Sequence, residues 1–74
     1  MKVGWRVKYL GAIDEQVKFG NNDDPRPHLV EDEIYEVDYV EEHSWHTKIG
    51  LYGFPGLRFN DVSFKRVKRF IKHR

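Results

Sequence analysis

The chain contains no cysteine, which excludes a disulfide framework and a thiolate metal site, the staples that hold many small secreted domains together. It has no stretch approaching the roughly 20 apolar residues of a membrane span, and Met1-Lys2-Val3-Gly4 leads directly into strand-like sequence with no apolar leader segment. A cytoplasmic protein is therefore expected. Serine occurs only at Ser44 and Ser63. Neither sits in a nucleophile elbow, and no glycine-rich phosphate loop opens a helix. No internal repeat is visible. These absences leave no catalytic machinery in view, so the chain is expected not to be an enzyme and to need no cofactor.

What the chain does contain is aromatic side chains. Its 74 residues form one domain, 1–74, near the lower limit at which a core is self-sufficient. Two Trp, four Tyr and five Phe supply the burial that staples would otherwise replace, each able to remove about 150 to 250 Å² from water. The formal net charge of +1 conceals a segregation. Asp14, Glu15, Asp23, Asp24, Glu31, Asp32, Glu33, Glu36, Asp38, Glu41 and Glu42 are interrupted by only Lys18 and Arg26. Beyond Phe64 the sequence turns basic, with Lys65, Arg66, Lys68, Arg69, Lys72 and Arg74 in the tail 65–74. Such blocks steer a partner of either sign or pair with each other inside the fold.

Hydrophobic alternation places the strands. Val3, Trp5, Val7 and Tyr9 share one face of a first strand, Lys2 to Tyr9, with Lys2, Arg6 and Lys8 on the other. From Leu10 to His28 the pattern dissolves into a long loop centred on Gly-Asn-Asn-Asp-Asp-Pro-Arg-Pro, a composition that favours turns. Leu10, Ala12, Ile13, Val17 and Phe19 suggest that its arms fold back as an irregular hairpin with a small apolar underside. A second strand, Glu33 to Val40, sets Tyr35, Val37 and Tyr39 against Glu36 and Asp38. After the polar hinge Glu41 to Ser44, a third strand carries Trp45, Thr47, Ile49 and Leu51 on one face. Three glycines and a proline between Gly50 and Gly56 demand tight turning. Leu57-Arg58-Phe59 is a short fourth strand, and Asn60-Asp61 can cap one helical turn through Val62 and Ser63. Phe64 to Val67 then reads as a fifth strand, with a short basic amphipathic helix from about Asp61 or Phe64 as the alternative, since Val67, Phe70 and Ile71 recur at helical spacing. The expected core is Val3, Trp5, Val7, Tyr35, Val37, Ile49, Leu51, Leu57 and Phe59.

This all-β order of elements resembles a five-stranded SH3-like small barrel. The residues that carry the likeness are Leu29 through Tyr39 (Leu-x5-Tyr-x-Val-x-Tyr), Trp45, and Gly53-Phe54-Pro55-Gly56-x-x-Phe59. The chain is also similar to short proteins common in bacteriophage and prophage genomes. That pattern is an early Val-rich strand (Val3 to Tyr9), a Glu33-Ile34-Tyr35-Glu36-Val37 strand, a Gly53 to Gly56 turn and Arg58-Phe59 near the end. The SH3 likeness implies a peptide groove near Trp45 and Pro55, with the acidic loop residues Asp23, Asp24, Glu31 and Asp32 meeting a basic ligand residue. The paired tyrosines that floor a proline-peptide groove are absent after strand one, where Gly11-Ala12 follow Leu10.

Other constellations weigh less. His28, His43, His46 and His73 include no pair at the i, i+4 spacing of a metalloprotease helix, and Asn21 to Asp24 lacks the further carboxylate of a calcium loop, so no metal is expected. The carboxylates of strand two read as its outer face, cross-paired with basic neighbours. The expected function is a non-catalytic, phage-type binding module docking on a protein partner through Trp45, Asp23, Asp24 and Pro55. The alternative is a nucleic-acid-binding accessory protein using Lys65, Arg66, Lys68, Arg69 and Lys72 together with the basic face of strand one.

Overall fold

A computed structural model describes residues 1–18 and 22–67. Apart from α1, its elements follow the expected order: β1 (Arg6–Tyr9), α1 (Asp14–Lys18), β2 (Ile34–Glu42), β3 (Thr47–Leu51), β4 (Phe59–Asn60), the one-turn 3-10 helix η1 (Asp61–Ser63) and β5 (Phe64–Arg66). The chain is mainly β, with all five strands in one antiparallel sheet ordered β4-β3-β2-β1-β5.

The barrel expected from sequence is not closed. β4 and β5 are the two edges of the sheet, joined through η1 without pairing to each other. A strand of two residues presents too few backbone groups to complete a ladder, and η1 carries the chain straight across to the far side of β1. The tail's first residues are strand, since β5 pairs with β1 through Val7↔Arg66, Lys8↔Lys65 and Tyr9↔Phe64. Positions 68–74, including Lys68, Arg69 and Lys72, lie outside the described residues.

β2 is the backbone of the sheet because it serves two partners in succession. Ile34 to Glu36 pair with β1, and Val37 to Glu42 pair with β3. Where the partner changes, the register slips between Val37 and Tyr39. A bulge of this kind inserts one residue and bends the strand. Its consequence is a change of face: Val37 stays opposite Leu51 in the core and Val40 joins it opposite Ile49, whereas Tyr39 falls opposite Gly50 on the outer side. The sequence-based grouping of Tyr35, Val37 and Tyr39 on one face therefore holds only up to the bulge.

The core consists of Val7, Tyr9, Leu29, Val37, Ile49, Leu51, Phe59 and Phe64, with Trp5, Tyr35 and Leu57 packed partly against it. Tyr9 and Phe64 meet across the β1–β5 pair with ring centroids 5.5 Å apart, and Phe59 reaches Phe64 at 6.2 Å. Val3 departs from expectation and is exposed. The chain turns at Gly4, whose φ is +94°, and Trp5 N donates back to Lys2 O, so β1 begins only at Arg6.

The long loop contains a helix where an irregular hairpin was expected. Gln16 Oε1 accepts from Ile13 N at 3.2 Å, the return half of a capping box. Asp14 and Glu15 in the first turn and Lys18 in the last complement the helix dipole. Beyond it, Arg26 bonds Asp14 and both oxygens of Asp24, and Leu29 N donates to Pro25 O, folding Leu29 into the core. Among the described residues no helix is long and apolar enough to cross a membrane.

Candidate functional site

Trp45 stands at the tip of the β2–β3 hairpin. The tip closes through His43 N donating to His46 O at 2.8 Å, with the two imidazoles stacked at 4.6 Å. β3 thus starts at Thr47, two residues later than expected, and Trp45 projects past the end of the core although its parity matches Ile49 and Leu51. The residue is 75% exposed.

The outer face behind this tip is knitted together by polar contacts. Tyr39 Oη donates to Glu41 Oε1 at 2.7 Å, and His43 Nε2 lies 2.6 Å from Glu41 Oε2. The Tyr39 hydroxyl, helped by His43, holds the Glu41 carboxyl below its ordinary range. Glu41 also lies across from Lys48, and Glu36 across from Arg6, which is the cross-strand pairing expected for the strand-two carboxylates.

The other three residues expected to bind a protein lie apart from Trp45. Pro55 is exposed in the turn after β3, at the opposite end of that strand. Asp23 seals the β4 edge: its Oδ2 accepts from Arg58 N at 2.7 Å, and its own N donates to Arg58 O at 2.8 Å. Asp24 is held by Arg26, whose hydrogen bonds keep the Asp24 carboxyl below the usual carboxylate range. The two loop carboxylates are committed to structural contacts, so the structure does not gather the four residues into one groove.

A concavity does exist, lined by none of the four, and sequence reasoning missed it. It is an open depression of about 410 Å³ lined by Leu10, Gly11, Ala12 and Ile13 of the loop, by Gln16 and Glu31, and by Val62 of η1. Leu10, Ile13 and Val62 are all exposed. The only sequence signal was apolar side chains in a stretch with no periodicity. Burial raises the carboxyl of Asp61, the neighbour of Val62, against the N-terminal ammonium and His46, which lower it.

Of the residues expected to bind nucleic acid, Lys65 and Arg66 are described, and both are exposed on β5. The Arg66 guanidinium sits 3.8 Å from the centroid of the Trp5 ring. Among the described residues no three of His, Asp and Glu gather as metal ligands. No protein-family model, curated protein or solved structure matches this chain.

Proposed function

We propose that this chain is a non-catalytic binding module that docks on a protein partner, with Trp45 at the β2–β3 hairpin tip as its anchor. The observation that carries this reading is the 75% exposure of Trp45 on a tip braced by the His43–His46 stack and the Glu41 contacts. A large indole with an N–H donor, held on a stiff support, loses little conformational freedom on binding and is the side chain most enriched in interface hot spots. The exposed Leu10, Ile13 and Val62 around the depression extend the apolar area available to a partner.

The SH3-like reading of the fold belongs to the same proposal. It is supported by the strand order and by a single 3-10 turn between β4 and β5. The phage-type origin rests on the sequence resemblance alone.

The test is capture from bacterial lysate on the immobilised full chain, in parallel with a Trp45→Ala variant of equal thermal stability. Proteins retained by the parent and lost by the variant support the proposal. A capture profile that Trp45→Ala leaves unchanged overturns it.

A further inference from the structure

The charges on the outer face of the sheet lie in rows, and only some rows are balanced. Glu36 is directly across from Arg6, and Glu41 directly across from Lys48. Lys8 has no such partner: it faces Lys65 on β5 and Ile34 on β2. Like charges directly opposite each other on one face of an antiparallel pair repel. Ion pairs among the described residues involve Arg26 and His43, so neither Lys8 nor Lys65 has a carboxylate within ion-pair distance there.

Two further features place cationic charge at this edge. Arg66 follows Lys65 on β5 but stands across from Val7, on the other face of the strand, with its guanidinium held against the Trp5 ring. Val67 N donates to Arg6 O at 2.8 Å, continuing the pairing one residue beyond β5. In sequence Lys68, Arg69, Lys72 and Arg74 come next.

The acidic loop is anchored mainly beside β4. Asp23 is bonded to Arg58 beside β4, and β4 is the opposite edge of the sheet from β5. Arg26 ties Asp14 and Asp24 into that same loop. Acidic residues bound the basic row at both ends: Glu36 lies across from Arg6, and at the Tyr9 end Asp32 and Glu33 bond to the Tyr9 backbone.

We propose that the outer face of β1 and β5, centred on Lys8 and Lys65 and flanked by Arg6, contacts the phosphate backbone of nucleic acid without reading its sequence. Arg6 and Lys8 are two residues apart on one strand, about 6.7 Å, and Lys65 stands beside Lys8 on the neighbouring strand, so the three cations form a compact cluster able to meet adjacent phosphates. Lysine acts on phosphate as a point charge, and neutralising phosphates releases condensed counterions. A bilayer is the poorer match, because Ile34 is the exposed large apolar side chain on this face and an inserting surface needs a broader apolar belt. This inference does not depend on Trp45.

The experiment is fluorescence anisotropy of the full-length chain with a labelled short duplex of arbitrary sequence, titrated between about 50 and 200 mM salt. The parent binds at low salt, and affinity falls linearly on a log–log plot. Lys8→Gln and Lys65→Gln each make the slope shallower by about 0.9, and together by about 1.8. Lys8→Arg and Lys65→Arg restore it, and Lys18→Gln on α1 leaves it unchanged. Thermal unfolding confirms each variant is folded, and Lys65→Gln melts no lower than the parent because a repulsion has been removed. The proposal is overturned by absence of duplex binding at the lowest salt, by a slope that the double variant does not change, or by phosphatidylserine vesicles competing fully with the duplex.

Discussion

The Arg58 guanidinium carbon lies 3.7 Å from the centroid of the Tyr39 ring, and it reaches that position across Gly50. A Cβ on Gly50 would stand 3.0 Å from Arg58 Nη1, Asp38 Oδ1 and Tyr39 Cβ. The arginine tip can move aside, but Tyr39 Cβ is fixed by the β2–β3 ladder. Gly50→Ala should therefore cost about 1 to 3 kcal/mol through overpacking, and Arg58→Ala about 0.5 to 1 kcal/mol through loss of the cation–π contact. In the double variant the arginine no longer crowds the new methyl, so the cost should fall short of the sum of the two. Strict additivity in urea unfolding would count against this linkage.

Ile49 is fully buried, whereas Val3 is 61% exposed. Ile49→Ala should cost about 2 to 5 kcal/mol by lost transfer energy and cavity formation, a large share of the stability of so small a domain. Val3→Ala should stay within about 0.5 kcal/mol of the parent. Thermal melts that rank the two variants the other way round would place the core wrongly.

Asn60 joins the loop helix to η1. Its Oδ1 accepts from Val62 N at 3.1 Å, and its Nδ2 donates to Gln16 O at 3.1 Å. Asn60→Ala should cost about 1 to 2 kcal/mol, from the lost cap and the loss of the shorter of the two side-chain hydrogen bonds to Gln16 O, the other coming from Asn22 Nδ2. Asn60→Ser keeps a capping oxygen and should cost less. Equal losses in chemical denaturation would assign the whole effect to the Gln16 contact.

Trp45 and Trp5 differ in environment, which fluorescence can read. In a Trp5→Phe background, Trp45 emission should be red-shifted and strongly quenched by iodide or acrylamide, as befits a residue 75% exposed. A protected, blue-shifted signal in the folded protein would return Trp45 to the core and remove the anchor from the proposed docking surface.

Glu41 supplies the pH dependence of the hairpin. The Tyr39 hydroxyl, and secondarily His43, hold its carboxyl below the ordinary value of 4.5. Because the folded value is depressed, the stabilising contribution is fully present above the ordinary glutamate range and is lost as pH falls through the folded value. Tyr39→Phe removes the larger cause, so NMR titration of the Glu41 side-chain carboxyl should show its midpoint rising toward 4.5. The same midpoint in both proteins would show that Tyr39 does not set it.

The Asn60 cap and the turn at Gly53 to Gly56 were readable along the chain, because each depends on interactions within a few residues, whereas the fourth strand, expected over Leu57 to Phe59, forms at Phe59–Asn60. Alternation marked Val7, Val37, Ile49, Leu51 and Phe59 as core for the same reason. The absence of cysteine likewise meant from the start that burial had to hold the fold together. Three outcomes needed the folded chain. The bulge after Val37 turned Tyr39 outward and Val40 inward, which no period-2 pattern contains, because it arises where β2 changes partner from β1 to β3. Trp45 kept core parity and still emerged exposed, because the hairpin tip extends past the end of the packed layer. Which charges meet emerged only through topology: Asp23 is fastened to Arg58 beside β4, while β5 brings Lys65 against Lys8. Local propensity specifies the elements, but which charges meet is decided by strand order and register, which depend on the whole chain closing around one core.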